Sequence, residues 1–448
     1  MTLLLLYCLV FIGMGVYEYA RRKNFEEFAV AGRRYGSAVI SISIVASCIG
    51  ASATIGMTGL AYSVGTPAFW WLGSGGVGLL ILGVFLAKKV RSSGAYTLPD
   101  MAEKYISPSA RRLMALIIIP AWSSILAAQF IAAAKTSASL SGMEFQTALF
   151  VCALFIIGYT VLGGQNSILK SDAVQFAMVI VGLLLALYFT KSASSVSLSS
   201  IPLQFTNAAF PLSKWSYFML VIGGSYVVCP MLFGRLLSAR NEVHARRGTF
   251  LAVFGIILSA VVIVCIGLYA RGLAPAGADA DSILTQVVPS VMPEWAGTLL
   301  LFALLSAIIS SADSCLITAA TVFEHDLLGG ENVTRCRLLM AAIGIMALAI
   351  AYSGSSILTL LLAANDIYVC GVVAPMAVAI LAHGKRSLST RTMLTAIFLG
   401  GLCGLLAATT GLKFFSYLGG ALSLAISLLA LTKSHKQYNS EALGTAWQ

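Results

Sequence analysis

Short hydrophilic breaks cut this chain into thirteen apolar runs, at about 2–20, 36–60, 67–87, 112–138, 145–163, 171–190, 214–234, 249–271, 296–322, 338–353, 357–383, 393–410 and 414–432. A helix of roughly 20 apolar residues crosses the hydrocarbon of a bilayer. No water is present there to satisfy backbone N–H and C=O groups, so a spanning segment of this length must be helical. The pattern predicts an all-α polytopic membrane protein, one membrane domain over 1–448 lying in the lipid bilayer. Composition agrees, because only 10% of residues are charged against roughly 25% in a soluble domain.

The net charge of +11 would otherwise raise the question of nucleic acid. Its placement answers that. Lys and Arg gather on alternate breaks, at 21–34, 88–112, Lys170, 235–247, 335–337, 385–391 and 433–436, while Lys135, Lys191, Lys214, Arg271 and Lys413 fall at the other ends. Basic residues mark the cytoplasmic side, so the N-terminus is expected outside and the tail at 433–448 inside, in the plasma or inner membrane. Topology accounts for the charge; no nucleic acid and no obligatory protein partner is implied. The first run has no basic stretch before it and no small-residue cleavage site, which reads as an uncleaved span rather than a signal peptide.

Chemistry is narrowed by what the runs lack. No G-x-x-x-x-G-K-[ST] loop is present, so transport would draw on a gradient rather than on a P-loop ATPase. Eight of the nine Cys lie in apolar runs without paired metal spacing, where Cys serves as a small packing residue. His244, His325, His383 and His435 sit in cytoplasmic segments or at helix ends, and no nucleophile–base pair falls at membrane depth, so an enzyme is not expected.

Within the run 296–322 stand Ser310, Ser311, Asp313 and Ser314. On a helix Ala307, Ser310, Ser311 and Ser314 share one face. Hydroxyls and an acid at that depth are costly unless they bind something, and oxygen ligands suit a hard cation such as sodium; close packing of small residues is the competing reading. Three other runs carry interruptions: Cys48 to Thr54, Gly223-Gly224-Ser225 followed by Pro230, and Ala363-Ala364-Asn365-Asp366 followed by Pro375. Transporters use broken helices to hold ions and substrates near the bilayer midplane. The first two breaks lie five runs apart, the spacing of a five-plus-five inverted repeat over 36–190 and 214–383, leaving an extra N-terminal helix at 2–20 and two C-terminal helices at 393–432.

Four motifs in order resemble the sodium/solute symporter family. They are Ala46-Ser47-Cys48-Ile49-Gly50-Ala51; Gly163-Gly164 with Asp172 eight residues on and Gln175 three further; Pro230 through Arg235 to Arg240; and Ser310-Ser311 leading to Phe323-Glu324-His325-Asp326-Leu327. The resemblance implies the leucine-transporter-type fold with one extra N-terminal helix, and sodium as the coupling ion. Its first sodium site would be built from the carbonyls of Ala46, Ile49 and Ala307 and the hydroxyls of Ser310 and Ser311. A second sodium, found in some members, would fall on Asp172 and Ser314, with Asp313 where a Ser can stand. The alternative for Asp172 is a helix N-cap or first-turn acid.

Solute is expected near the breaks, against Ser52, Ala53, Thr54, Trp71, Gln129, Ser225, Tyr226, Asn365 and Asp366. Gln129 reads equally as an interhelical hydrogen bond, and Trp70-Trp71 as an interfacial anchor. The resemblance implies an acid or amide just after the first break for a sugar, where this chain has Ser52 and Ala53, and its Pro230-to-Arg235 spacing is similar to the amino-acid and small-carboxylate branches. With no Arg or Lys expected at the midplane, the expected solute is an amino acid or small carboxylate imported by sodium symport and alternating access. A sodium-coupled sugar, sialic acid or nucleobase symporter and a proton-coupled transporter are the alternatives; a transporter-like solute sensor is more remote.

Overall fold

The computed structural model describes residues 2–20, 24–197, 201–275, 277–353 and 356–432; the tail expected at 433–448 lies outside them. Ten described helices are long and apolar enough to cross a membrane, one bent pair makes an eleventh span, and two shorter apolar helices complete the expected thirteen. In chain order they are α1 (Thr2–Ala20), α2 (Ser37–Cys48 with Ser52–Val64), α3 (Thr66–Ser92), α4 (Pro108–Ser141), α5 (Phe145–Gly163), α6 (Gln165–Ala193), α7 (Leu212–Ser238), α8 (Glu242–Ala270), α9 (Glu294–Leu327), α10 (Val333–Tyr352), α11 (Ile357–Ala382), α12 (Thr390–Thr410) and α13 (Lys413–Leu429).

Local chemistry sets the ends. Ser107 caps α4 by accepting the Ala110 N–H at 3.3 Å, Pro108 begins the helix, and Gly142 closes it in the left-handed conformation. Asn241 and Asn332 cap α8 and α10 in the same way. Gly164, at φ +78°, turns the chain between α5 and α6, and a side chain there would collide with the Phe28 ring.

α9 is the axis of the molecule. Its whole spanning window is buried, whereas α10 and α12 leave most of theirs on the surface. It packs along α6 and α4, and it crosses α2. Every polar residue of its middle, Ser306, Ser310, Ser311, Asp313 and Ser314, therefore faces protein and not lipid.

Three boundaries differ from the sequence reading. α6 starts at Gln165, not 171, so Asp172 lies two turns inside the helix and is neither N-cap nor first-turn acid. In α7 the helix runs on through Gly223-Gly224-Ser225 with one widened turn and breaks at Val228 and Cys229, both extended. Pro230 explains the shift, since proline drives the residue before it out of the helical region. In α11 the stretch Ala363 to Asp366 is continuous helix, and the irregularity is a widened turn at Val369–Val373, just ahead of Pro375.

Candidate functional site

The break in α2 is where the site begins. Its first half ends at Cys48, Ile49 leaves the helix at φ −92°, ψ 59°, and the last turn's carbonyls are released from the helical ladder. Ser311 of α9 donates its hydroxyl to one of them, Ser47 O, at 2.9 Å. Gly50 allows that approach, because a Cβ there would overlap Ser311 Oγ and crowd Gln129 Oε1. Gln129 of α4 accepts the Ala51 N–H at 3.1 Å and so braces the far side of the break. Ala46, Ile49, Ala307, Ser310 and Ser311 are all buried around this crossing.

Ser310 points elsewhere. Consecutive helical residues diverge by about 100°, and the Ser310 hydroxyl reaches Asp172 Oδ1 of α6 at 2.6 Å. Ser43 of α2 donates to Asp172 Oδ2, and the Arg235 guanidinium stands 3.6 Å from the same oxygen. Arg235 Nη2 also donates to Ser47 Oγ at 2.8 Å and to Ser314 Oγ, and its Nε to Ser43 Oγ at 3.2 Å. Asp313 accepts from Ser314 at 3.3 Å through Oδ1, while its buried Oδ2 has no partner among the described residues.

This overturns one expectation. Arg235, read as a cytoplasmic basic residue, is completely buried and enters the polar core. α7 continues past 234 to Ser238, which carries the side chain inward.

Beside the α2–α9 crossing lies a central cavity of about 80 Å³. Of the residues expected to meet solute, Ser52, Trp71, Gln129, Ser225, Tyr226 and Asn365 line it together with Ser311. Ala53 and Thr54 do not: both are fully buried, and Thr54 Oγ1 bonds back to Gly50 O at 2.9 Å. Asp366 does not either. Its carboxylate accepts Tyr217 and Ser416 hydroxyls, each at 2.8 Å, in a separate and roomier vestibule of about 300 Å³ rimmed by Lys214 and Lys413. Trp71 lies between the two spaces and lines both.

The cavity holds residues the sequence reading missed. Trp122 lines it, and its indole N–H has no partner among the described residues. The signal was available, since Trp122 lies seven residues before Gln129 on α4 and so shares its face. Cys48, Cys229 and Cys315 also line it; nothing but their place in the fold marks them out. Among the described residues no charged side chain borders the cavity.

A helical bundle of this many apolar spans, two of them broken, defines a multi-pass membrane protein. The family model "Sodium:solute symporter family" matches residues 28–382, and the chain belongs to that family. It is 24% identical to the sodium/pantothenate symporter of Escherichia coli over 95% of this chain and 94% of that one. It is 25% identical to the human high affinity choline transporter 1 over 72% of this chain, spanning about 61% of that transporter's length. Among solved structures, a substrate-bound, outward-open Na+-coupled sialic acid symporter superposes with TM-score 0.80 at 16% identity, over 96% of this chain and 98% of that one. MhsT in complex with L-phenylalanine superposes at 0.58 and 12% identity, over 89% and 99%. These likenesses show the leucine-transporter-type fold.

Proposed function

We propose that this chain is a sodium-coupled symporter that imports a small organic solute by alternating access, with its N-terminus outside and C-terminus cytoplasmic. One observation carries the reading: Ser311 meets a carbonyl opened by the break in α2, that of Ser47, at the edge of the central cavity. Sodium held by Ala46, Ile49, Ala307, Ser310 and Ser311 would stitch α2 to α9 while solute occupies the adjoining space. Ser310 turns from Asp172 to join it by rotation about its own χ1 torsion. Five neutral oxygens bind a monovalent ion reversibly, which a transport cycle needs.

The cavity's neighbours supply the two sides of the cycle. Trp71 separates it from the outer vestibule, and the second half of α7 separates it from a smaller crevice bordered by Gln165, Pro230 and Gly234. Loss of sodium would release α2 from α9 and let the α7 half-helix move. One charge crossing 100 mV supplies about 2.3 kcal/mol. With a tenfold sodium gradient the total is about 3.7 kcal/mol, or roughly 500-fold solute accumulation per sodium.

The solute class we favour is an amino acid or small carboxylate. Met231 and Leu232, in the first turn of the α7 half-helix, border the cavity, and helix N-termini attract carboxylates. The unpartnered Trp122 N–H is a further donor. A second reading is a quaternary ammonium solute, favoured by three aromatic side chains, Trp71, Trp122 and Tyr226, around a space without charged groups. Sodium-dependent uptake into proteoliposomes, screened across both solute classes, tests the proposal. Loss of sodium dependence in Ser310→Ala and Ser311→Ala is expected; retention of it in both would refute the ion site.

A further inference from the structure

Two of the residues that the family resemblance offers for a second sodium, Asp172 and Ser314, already meet a cation. Asp172 Oδ2 faces Arg235 Nη2 at 3.6 Å, and Ser314 Oγ accepts from the same nitrogen. Ser43 and Ser310 also bond the carboxylate, and when Ser310 turns to the ion at the α2 break the guanidinium and Ser43 remain. The same Nη2 donates to Ser47 Oγ at 2.8 Å, and Nη1 to the Met231 carbonyl at 3.4 Å. Arginine keeps its charge at every accessible pH, and a mobile cation this close in a low-dielectric interior would be repelled strongly.

Resting on the sodium-symport reading above, we infer that Arg235 is a tethered cation standing in for a second sodium at Asp172, so that the transporter loads one sodium ion per cycle. The guanidinium neutralises Asp172 permanently, and the only ion that comes and goes is the one at the α2 break. Ser47 links the two: its hydroxyl accepts from Arg235 and its carbonyl accepts from Ser311. Arg235 thus also fixes the residue around which the mobile ion's carbonyls are arranged. A side chain cannot be released to the cytoplasm, so the charge it contributes drives no transport.

Equilibrium binding of radioactive sodium to the purified full chain, with no solute present, reads this directly. Wild type is expected to bind about one sodium per chain, and Arg235→Gln about two, with a correspondingly steeper rise of Tm with sodium concentration. Adding Asp172→Asn to Arg235→Gln should return the count to about one. Two ions per wild-type chain would overturn the inference and leave the symport reading standing, and the wild-type count decides even if the variants fail to fold. An Arg235→Gln protein that still binds one, or a double variant that keeps two, would equally overturn it. No sodium binding at all would sink the symport reading and this inference together.

Discussion

Ser311 and Ser47, 264 residues apart in the chain, meet at 2.9 Å through a hydroxyl and a main-chain carbonyl released by the break in α2. The approach depends on Gly50, whose missing side chain leaves room for Ser311. Gly50→Ala is therefore expected to push α2 and α9 apart. Overpacking of this kind costs about 1–3 kcal/mol, or roughly 5- to 150-fold in affinity if it falls on the ion site. Sodium titration of the variant's thermal stability measures it. An unchanged half-saturating concentration would mean that Ser311 and the break do not shape the site.

The fold was largely legible because membrane spans are written in composition: apolar length alone placed all thirteen helices near their observed ranges. The crossing was legible from Gly50 and Ser311, since small and hydroxyl residues inside apolar helices have few reasons to be there, whereas Ser310 turns to Asp172. Arg235 was not. A basic residue at the cytoplasmic end of a span looks the same in sequence whether it meets water or turns inward. What decides is the extra helical turn after Pro230, which local pattern does not reveal. Thr54 and Asp366, expected against solute, lie off the cavity for a related reason: a polar residue can satisfy itself within its own helix, as Thr54 does on Gly50 O, or with neighbours, as Asp366 does; the apolar Ala53 is simply buried.

Asp366 is accordingly expected to matter for stability and not for ion binding. Replacing it with Ala removes the acceptor of two buried hydroxyls, those of Tyr217 and Ser416. Leaving buried donors unpaired costs about 1–3 kcal/mol each. Thermal unfolding of Asp366→Ala should show the loss, with sodium affinity in the folded protein unchanged. A variant of normal stability that has lost solute uptake would instead identify Asp366 as a solute ligand.

A second buried ion pair closes the other end of the molecule. Arg111, at the start of α4, donates to Asp326 at 2.8 Å, to Glu103, and to the His325 carbonyl at 2.5 Å, while Thr97 donates to the other Asp326 oxygen at 2.8 Å. The Asp326 side chain is fully enclosed. Arg111→Ala strands that carboxylate, and breaking a buried pair from one side costs about 3–5 kcal/mol. The double variant Arg111→Ala, Asp326→Asn should recover part of it, because no unpaired charge remains. A double-mutant cycle in thermal or denaturant unfolding checks the coupling; additive losses would show that the two groups act independently.

Asp100 gives the neighbouring short helix Leu98–Tyr105 a pH dependence of definite sign. Burial pushes its carboxyl up, but the His325 ring, the Tyr96 N–H at 2.9 Å and Lys104 at 3.6 Å outweigh it, and the carboxyl ends below its ordinary value of 3.8. A group whose folded pKa is depressed binds protons less readily in the native state, so unfolding takes up protons as the pH drops. The stabilisation is complete well above pH 3.8, the unfolded value, and fades as the pH falls through it toward the folded value. Asp100→Asn, which cannot titrate, should have a lower Tm than wild type at neutral pH and a flatter decline on acidification, the two curves converging at the acid end. Parallel curves across that range would show that Asp100 is no better held in the folded protein than in the unfolded chain, and that its contacts with Tyr96, Lys104 and His325 do not favour its charged form.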